Sequence, residues 1–255
     1  MFGRKRPNKS LSVLRSVKLS DQSGFQKVVL NESHVSLVKT QEAAKVSLTK
    51  RNLNDKKFAV GILIDNSGSM TGFYGRGKVQ KLAEFALGYA FEVDTDGLIP
   101  VGVFGDSFYW ASTDLTQDNY QDFIRLQGWN GNGGSTNTAR ALDEADKLFD
   151  NCDDPAIIIV VTDGRPNSES AVMDMLTKMS RKPVFVKWLT IGSDPDAARF
   201  AKKIDDDLKG LVDNVDSKNY TSGDLVSLTS EKFAEDMSDE LDKWLDDAKS
   251  VGLVR

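Results

Sequence analysis

Five oxygen-bearing side chains, in three separated stretches, are the residues of this chain whose types and spacing suit chemistry. Asp65, Ser67 and Ser69 lie in the stretch Phe58 to Met70, where an apolar run ends on an acid followed by two hydroxyls spaced around Gly68. Asp163 closes a second apolar run, Ala156 to Thr162, and precedes Gly164. Thr136 lies between them in the glycine-rich stretch Asn130 to Thr138. Carboxylates and hydroxyls are ligands for hard cations, and Mg²⁺ takes oxygens in near-octahedral geometry while keeping several waters. One carboxylate and two hydroxyls on a tight turn make half a site; a second carboxylate and a further hydroxyl make the rest. Two full negative charges are fewer than a dedicated calcium cage uses, so Mg²⁺ or Mn²⁺ suits the set better than Ca²⁺.

Both apolar runs have strand length and aliphatic composition, as strands buried on two faces do. Working groups in open α/β sheets sit just beyond the carboxyl ends of the strands. If the two strands are neighbours, both carboxylates fall on one sheet edge and Thr136 arrives from the intervening loop. The spacing of Val79, Leu82, Ala83, Ala86, Leu87, Ala90 and Phe91 predicts a helix covering the sheet, after a flexible loop over 71–77. Leu98 to Phe104 reads as a strand, with Ser107 to Ser112 returning antiparallel through a Gly105-Asp106 hairpin. Helices are expected over 118–127, 139–149 and 169–179, and another opens at Asp194-Pro195. Strands are expected over 183–191 and 211–215. A long terminal helix over 229–248 carries Phe233, Met237, Leu241, Trp244 and Leu245 on one stripe. This alternation predicts an α/β, doubly wound, Rossmann-like fold: a mostly parallel sheet with helices on both faces and one antiparallel edge strand.

Asp65-x-Ser67-x-Ser69, then Thr136, then Asp163-Gly164, resembles the metal-ion-dependent adhesion site (MIDAS) of von Willebrand factor A (VWA) domains in order and spacing. The resemblance covers roughly Lys57 to Trp244. Gly77-Lys78-Val79-Gln80, Val103-Phe104-Gly105-Asp106 and the Lys45-Val46-Ser47-Leu48 lead-in are similar to the bacterial tellurium-resistance (Ter) branch. The resemblance implies a protein-binding module in which an Asp or Glu of a protein partner completes the metal shell. It also implies a role in tellurium resistance or a related stress response. The competing class is a Mg²⁺-dependent phosphotransfer or hydrolytic enzyme on a Rossmann-like sheet. Such an enzyme needs a nucleophile or general base beside the metal. Acid phosphatases of the haloacid dehalogenase type place a second carboxylate two residues after the first, where this chain has Ser67, and no histidine accompanies any motif. The expectation is therefore a binding module without catalytic residues.

The whole composition agrees with a globular protein: 255 residues, 40% hydrophobic and 28% charged, with a net charge of −5. Charge is uneven, since residues 1–57 hold 13 Lys or Arg against 4 Asp or Glu, and the remainder 20 against 34. A basic arm on an acidic body suits an acidic partner or nucleic acid, but it lacks the interleaved series of stacking aromatics that nucleic-acid binding uses, which disfavours that reading. Residues 1–50 read as a basic, β-prone extension with strand-like runs at Leu11–Leu19, Val28–Leu30, Val35–Val38 and Val46–Leu48. The VWA-like domain is expected over 58–247, folding without the arm. No apolar run reaches the ~20 residues of a membrane span, and no apolar stretch follows the basic residues after Met1, so the expected location is cytoplasmic. A single Cys152 fits a reducing compartment. His34 reads as a surface or turn residue. Trp129, just before the glycine-rich loop, is either an exposed anchor beside the cation or buried beneath that loop.

Overall fold

The structure, a computed structural model, describes residues 32–150 and 152–254. The expected runs Leu11–Leu19 and Val28–Leu30 lie outside the described residues. Six strands, β1 (Ala59–Asp65), β2 (Val101–Phe104), β3 (Phe108–Trp110), β4 (Ala156–Thr162), β5 (Val184–Ile191) and β6 (Val215–Tyr220), form one sheet in the order β3-β2-β1-β4-β5-β6. All ladders are parallel except that between β2 and β3, the antiparallel edge. The chain leaves β1 for β2 on one side and later returns to β4 on the other. The strand order therefore reverses at β1, and the ends of β1 and β4 frame the crevice where doubly wound sheets take ligands.

Side chains alternate between the two sheet faces with the two-residue period of a strand. Val60, Ile62 and Ile64 pack with helices α1 (Glu32–Lys50), α2 (Thr71–Gly75), α3 (Lys78–Val93) and α4 (Phe123–Leu126) on one side. Helices α5 (Thr138–Phe149), α6 (Glu169–Met179) and α7 (Pro195–Asp206) cover the other, where Leu63, Val160 and Trp188 meet Leu142, Leu176 and Phe200. The short α8 (Ser222–Ser227), then α9 (Ser230–Ser238) and α10 (Leu241–Ser250), close the first face through Leu225, Phe233 and Trp244.

Three expectations are corrected. Val35–Val38 and Val46–Leu48, read as strands of a β-prone extension, lie in helix α1. The reason is periodicity: Leu37, Thr40, Ala44, Ser47 and Leu48 are all buried and fall on one helical stripe. Burial of that stripe outweighs the modest β preference of its valines. Gly88 of α3 admits this close packing, since a Cβ there would stand 2.8 Å from Thr40 Cβ and 3.0 Å from the Leu37 carbonyl oxygen. Thr40 Oγ1 meets Ser230 Oγ at 2.9 Å, and Ser47 Oγ donates to Glu235 Oε2 at 3.0 Å, so α1 is pinned to α9 as well.

The long terminal helix is two helices, with Glu240 in the left-handed region at φ 59° between them. The break has a partner across the core. Lys187 of β5, fully buried, donates to the carbonyls of Asp236 (2.7 Å) and Asp239 (2.8 Å) at the end of α9 and pairs with buried Asp216. An ammonium that satisfies the terminal carbonyls of a helix favours a stop at that point. The last strand, expected over 211–215, is displaced to Val215–Tyr220. Its polar sequence hides it, because Asp216 is held by Lys187 and Lys218 rather than by solvent.

Candidate metal centre

At the end of β1 the chain leaves the sheet through Asn66, whose N–H donates to the Phe104 carbonyl at 2.7 Å. A 3-10 turn over Gly68–Met70 follows at once, anchored by the fully buried Met70 side chain. This compact turn folds Ser67 and Ser69 back over the strand end. The Asp65 carboxylate takes the Ser67 N–H on Oδ1 at 2.7 Å and the Thr162 hydroxyl on Oδ2 at 2.6 Å. Ser67 Oγ lies 3.1 Å from Ser69 Oγ, and Ser69 Oγ donates to Asp163 Oδ1 at 2.8 Å. Four of the five predicted residues thus form one continuous hydrogen-bonded chain between the ends of β1 and β4.

Thr136 joins them through the glycine-rich loop, which is stapled to the first motif by its backbone. Gly131 N–H donates to Asn66 Oδ1 and Gly133 N–H to the Asn66 carbonyl, each at 2.7 Å, while Gly68 N–H donates to the Gly134 carbonyl at 3.1 Å. The contact is too close for side chains: a Cβ on Gly133 would stand 2.9 Å from Asn66 O, and one on Gly134, at φ 86°, would stand 2.0 Å from Asp106 Oδ2. Asn167 clamps Thr136 from the far side, accepting its N–H on Oδ1 at 3.0 Å and donating its own N–H to its carbonyl at 2.9 Å. The Thr136 and Ser69 hydroxyl oxygens lie 3.8 and 4.0 Å from where Gly164 would carry a Cβ. All five residues therefore gather at one point of the switch crevice.

The electrostatics of the cluster are unbalanced. Asp65 is fully buried and Asp163 is 8% exposed, yet neither forms an ion pair with a basic side chain among the described residues. Burial pushes the Asp65 carboxyl up to about 6, against the lowering effect of hydrogen bonds from Thr162 and Ser67, and the nearby charge of Asp163 adds to the rise. Asp163 is raised for the same reason, burial, opposed by the Ser69 hydrogen bond and reinforced by Asp194. Two carboxylates that resist ionisation alone become favourable beside a cation. A second acidic group, Asp205, Asp216 and Glu240, brings three carboxylate oxygens within 4.8 Å of one another. It fits a cation less well, because Asp216 already has Lys187 and Lys218 as counter-ions.

Several positioning residues escape sequence reasoning. Thr162, Asn66 and Asn167 orient ligands or loops, Asp106 accepts the Ser135 N–H at 3.0 Å, and Tyr74 OH donates to the Asp65 carbonyl at 2.9 Å. Tyr74 also shows that the expected flexible loop is in part helix α2. Trp129 is half-buried, edge-on to Phe123 with ring centroids 6.2 Å apart.

A doubly wound sheet with an oxygen-donor cluster at its switch point defines the class of domain. The chain belongs to the VWA family, in the branch described as the vWA found in the TerF C terminus, whose model matches residues 57–254. It is similar to the uncharacterized protein YcbR of Bacillus subtilis, 23% identical over 222 residues that cover 84% of this chain and 88% of that one. Among solved structures it is similar to proximal thread matrix protein 1 from the mussel byssus, determined with a zinc-occupied MIDAS motif. The TM-score there is 0.51 at 18% identity, over 72% of this chain and 48% of that one. The pilus adhesin SpaC of Lactobacillus rhamnosus GG matches with a TM-score of 0.51 at 14% identity, over 72% of this chain and 30% of that one. At these identities the likeness is one of fold, and the chain spans half or less of both proteins.

Proposed function

We propose that this protein is a divalent-cation-dependent protein-binding module. Asp65, Ser67, Ser69, Thr136 and Asp163 hold Mg²⁺ or Mn²⁺, and an Asp or Glu of a protein partner completes the shell. The observation that carries the reading is the pair of buried carboxylates without a basic partner, since buried charge persists where it is compensated. The donor set fits the ion: every candidate ligand is oxygen, three are neutral hydroxyls, and the number falls short of what Ca²⁺ prefers. When bound, the cation supplies an electrophilic point that attracts an external carboxylate. The chain's own residues do the rest: Asn66 and Asn167 fix the loops, Thr162 and the Ser67 N–H orient Asp65, and the hydroxyls face the crevice.

The zinc-occupied MIDAS motif of the mussel protein supports a metal at the matching place, and the TerF-type family supports a role in a tellurium-resistance or stress-response system. No helix among the described residues is long and apolar enough to cross a membrane, and we place the module in the cytoplasm on its cysteine usage. The test is capture from lysate by the immobilised full chain, with Mg²⁺ or with EDTA. Partner recovery that depends on Mg²⁺ and is lost in Asp65→Ala supports the reading. Equal recovery under all three conditions refutes it. Phosphate-ester hydrolysis in Mg²⁺ that disappears in Asp65→Asn would favour the enzymatic alternative instead.

A further inference from the structure

Two buried hydroxyls, one close in sequence to a candidate ligand and one a strand away from another, lack partners. Thr138 and Thr190 are 0% and 1% exposed, and the Oγ1 atom of each makes no hydrogen bond among the described residues. Their position follows from strand register. Ile64 is opposite Val161, which places Asp65 beside Thr162, and Thr162 is opposite Thr190. In-register residues of parallel strands share a face. Leu63, Val160 and Trp188, each two residues earlier, all belong to the core under α5, α6 and α7. Asp65, Thr162 and Thr190 therefore form a row across β1, β4 and β5, just inside the sheet edge that bears the site. The first two are joined by the 2.6 Å hydrogen bond, and Thr190 extends the row with an unused hydroxyl. Thr138 enters the same layer from above. It is the first residue of α5, two after Thr136, and continues the buried stripe of Ala141, Leu142 and Ala145.

A buried hydroxyl without a partner costs about 1–3 kcal/mol, and valine would fill the same space without that cost. Ions held by a few protein oxygens keep water, and both that water and the ligating carboxylates need outer hydrogen-bond partners. We propose that Thr138 and Thr190 are positioning residues of the metal centre. Their hydroxyls bond the water shell of the ion and the outer carboxylate oxygens, orienting them without touching the metal. The proposal rests on the metal-binding reading above.

The experiment uses the full chain and the variants Thr138→Val, Thr190→Val and Thr190→Ser. Mg²⁺ and Mn²⁺ affinity is measured by calorimetry, and thermal unfolding is followed in EDTA. Each valine variant is expected to bind metal about tenfold more weakly, the low end of the ~10–100-fold effect of outer-shell partners. Its Tm in EDTA should equal or exceed that of the wild type, and Thr190→Ser should retain metal affinity. Valine variants that bind both ions as the wild type does overturn the proposal alone. So does an affinity loss accompanied by a lower Tm in EDTA and shared by Thr190→Ser, since that marks packing rather than the hydroxyl. A wild-type chain that binds neither ion overturns the metal-binding reading itself.

Discussion

Replacing Asp65 by asparagine separates the cost of the site from its use. Burial is the chief cause that pushes the folded-state carboxyl up to about 6 from an ordinary value of 3.8. At about 1.4 kcal/mol per unit, ionised Asp65 destabilises the fold by about 3 kcal/mol. The sign follows from the raised value: the penalty is absent below 3.8 and grows as pH rises towards 6, because the folded protein gives up its proton less readily than the unfolded chain. Asparagine is neutral throughout. Its amide oxygen keeps the Ser67 N–H, and its NH₂ faces Thr162 Oγ1, which turns to accept and directs its own hydrogen to the Gly164 carbonyl. That rearrangement costs about 1 kcal/mol as one hydrogen bond weakens.

The net expectation for Asp65→Asn in EDTA at pH 7.5 is a gain of about 2 kcal/mol, or about 4–8 °C in Tm for a chain of this size. At pH 4 the variant should show no gain. Metal affinity should fall sharply, because one of two ligand charges is gone. Urea unfolding across pH 4 to 8 in EDTA provides the assay. A variant less stable than the wild type at pH 7.5, with an unchanged pH slope, would refute the claim that Asp65 carries a burial penalty.

Four further outcomes are expected. Thr136→Ala removes one neutral oxygen, so calorimetry should show metal affinity reduced only slightly, while Mg²⁺-dependent capture falls strongly if the loop sets the open face. Asp94, buried at the opposite end of β1 with the Val60 N–H on Oδ2 at 2.8 Å, is pushed by burial up to about 7. Stability should therefore still decline as pH rises between about 4 and about 7 in the Asp65→Asn background, as measured by the same titration. The packing of α1 on α3 and α9 reverses the expectation that 58–247 folds without the arm: that fragment, which also lacks the buried Ala248, should show a broad, weakly cooperative melt, whereas 32–254 unfolds cooperatively. Leu48→Ala alone should cost about 2–5 kcal/mol in chemical denaturation.

Much of the candidate site was legible because the residues proposed as its ligands punctuate the pattern that builds the fold. Asp65 and Asp163 interrupt aliphatic runs, and a charge at the end of a buried strand stands out against its neighbours. Asn66, Thr162 and Asn167 gave no such signal. Asn66 and Asn167 act through backbone groups of a loop some sixty and thirty residues away in sequence, and Thr162 reads as an ordinary strand threonine until β1 lies beside it. Helix α1 was hidden by its valines, whose local preference ignores the stripe that α3 and α9 select. The split between α9 and α10 was hidden differently: its cause, Lys187, sits fifty residues earlier on β5, and no local stop signal reproduces it.

Fixed and adjustable parts of the site are built from different groups. Main-chain bonds to Asn66 and Asn167 lock the loops, so the hydroxyls proposed as ligands approach one point without any ion to gather them. The carboxylates remain under tension, since burial disfavours their charge and only hydrogen bonds from neutral groups offset it. A cation present at a hundred times its dissociation constant stabilises the folded state by about 2.7 kcal/mol, close to the penalty of Asp65 alone. Ion binding and fold stability are therefore coupled on the same scale. On the proposed reading, a partner carboxylate that raises cation affinity also stabilises the domain, and by reciprocity the cation raises affinity for the partner by the same factor.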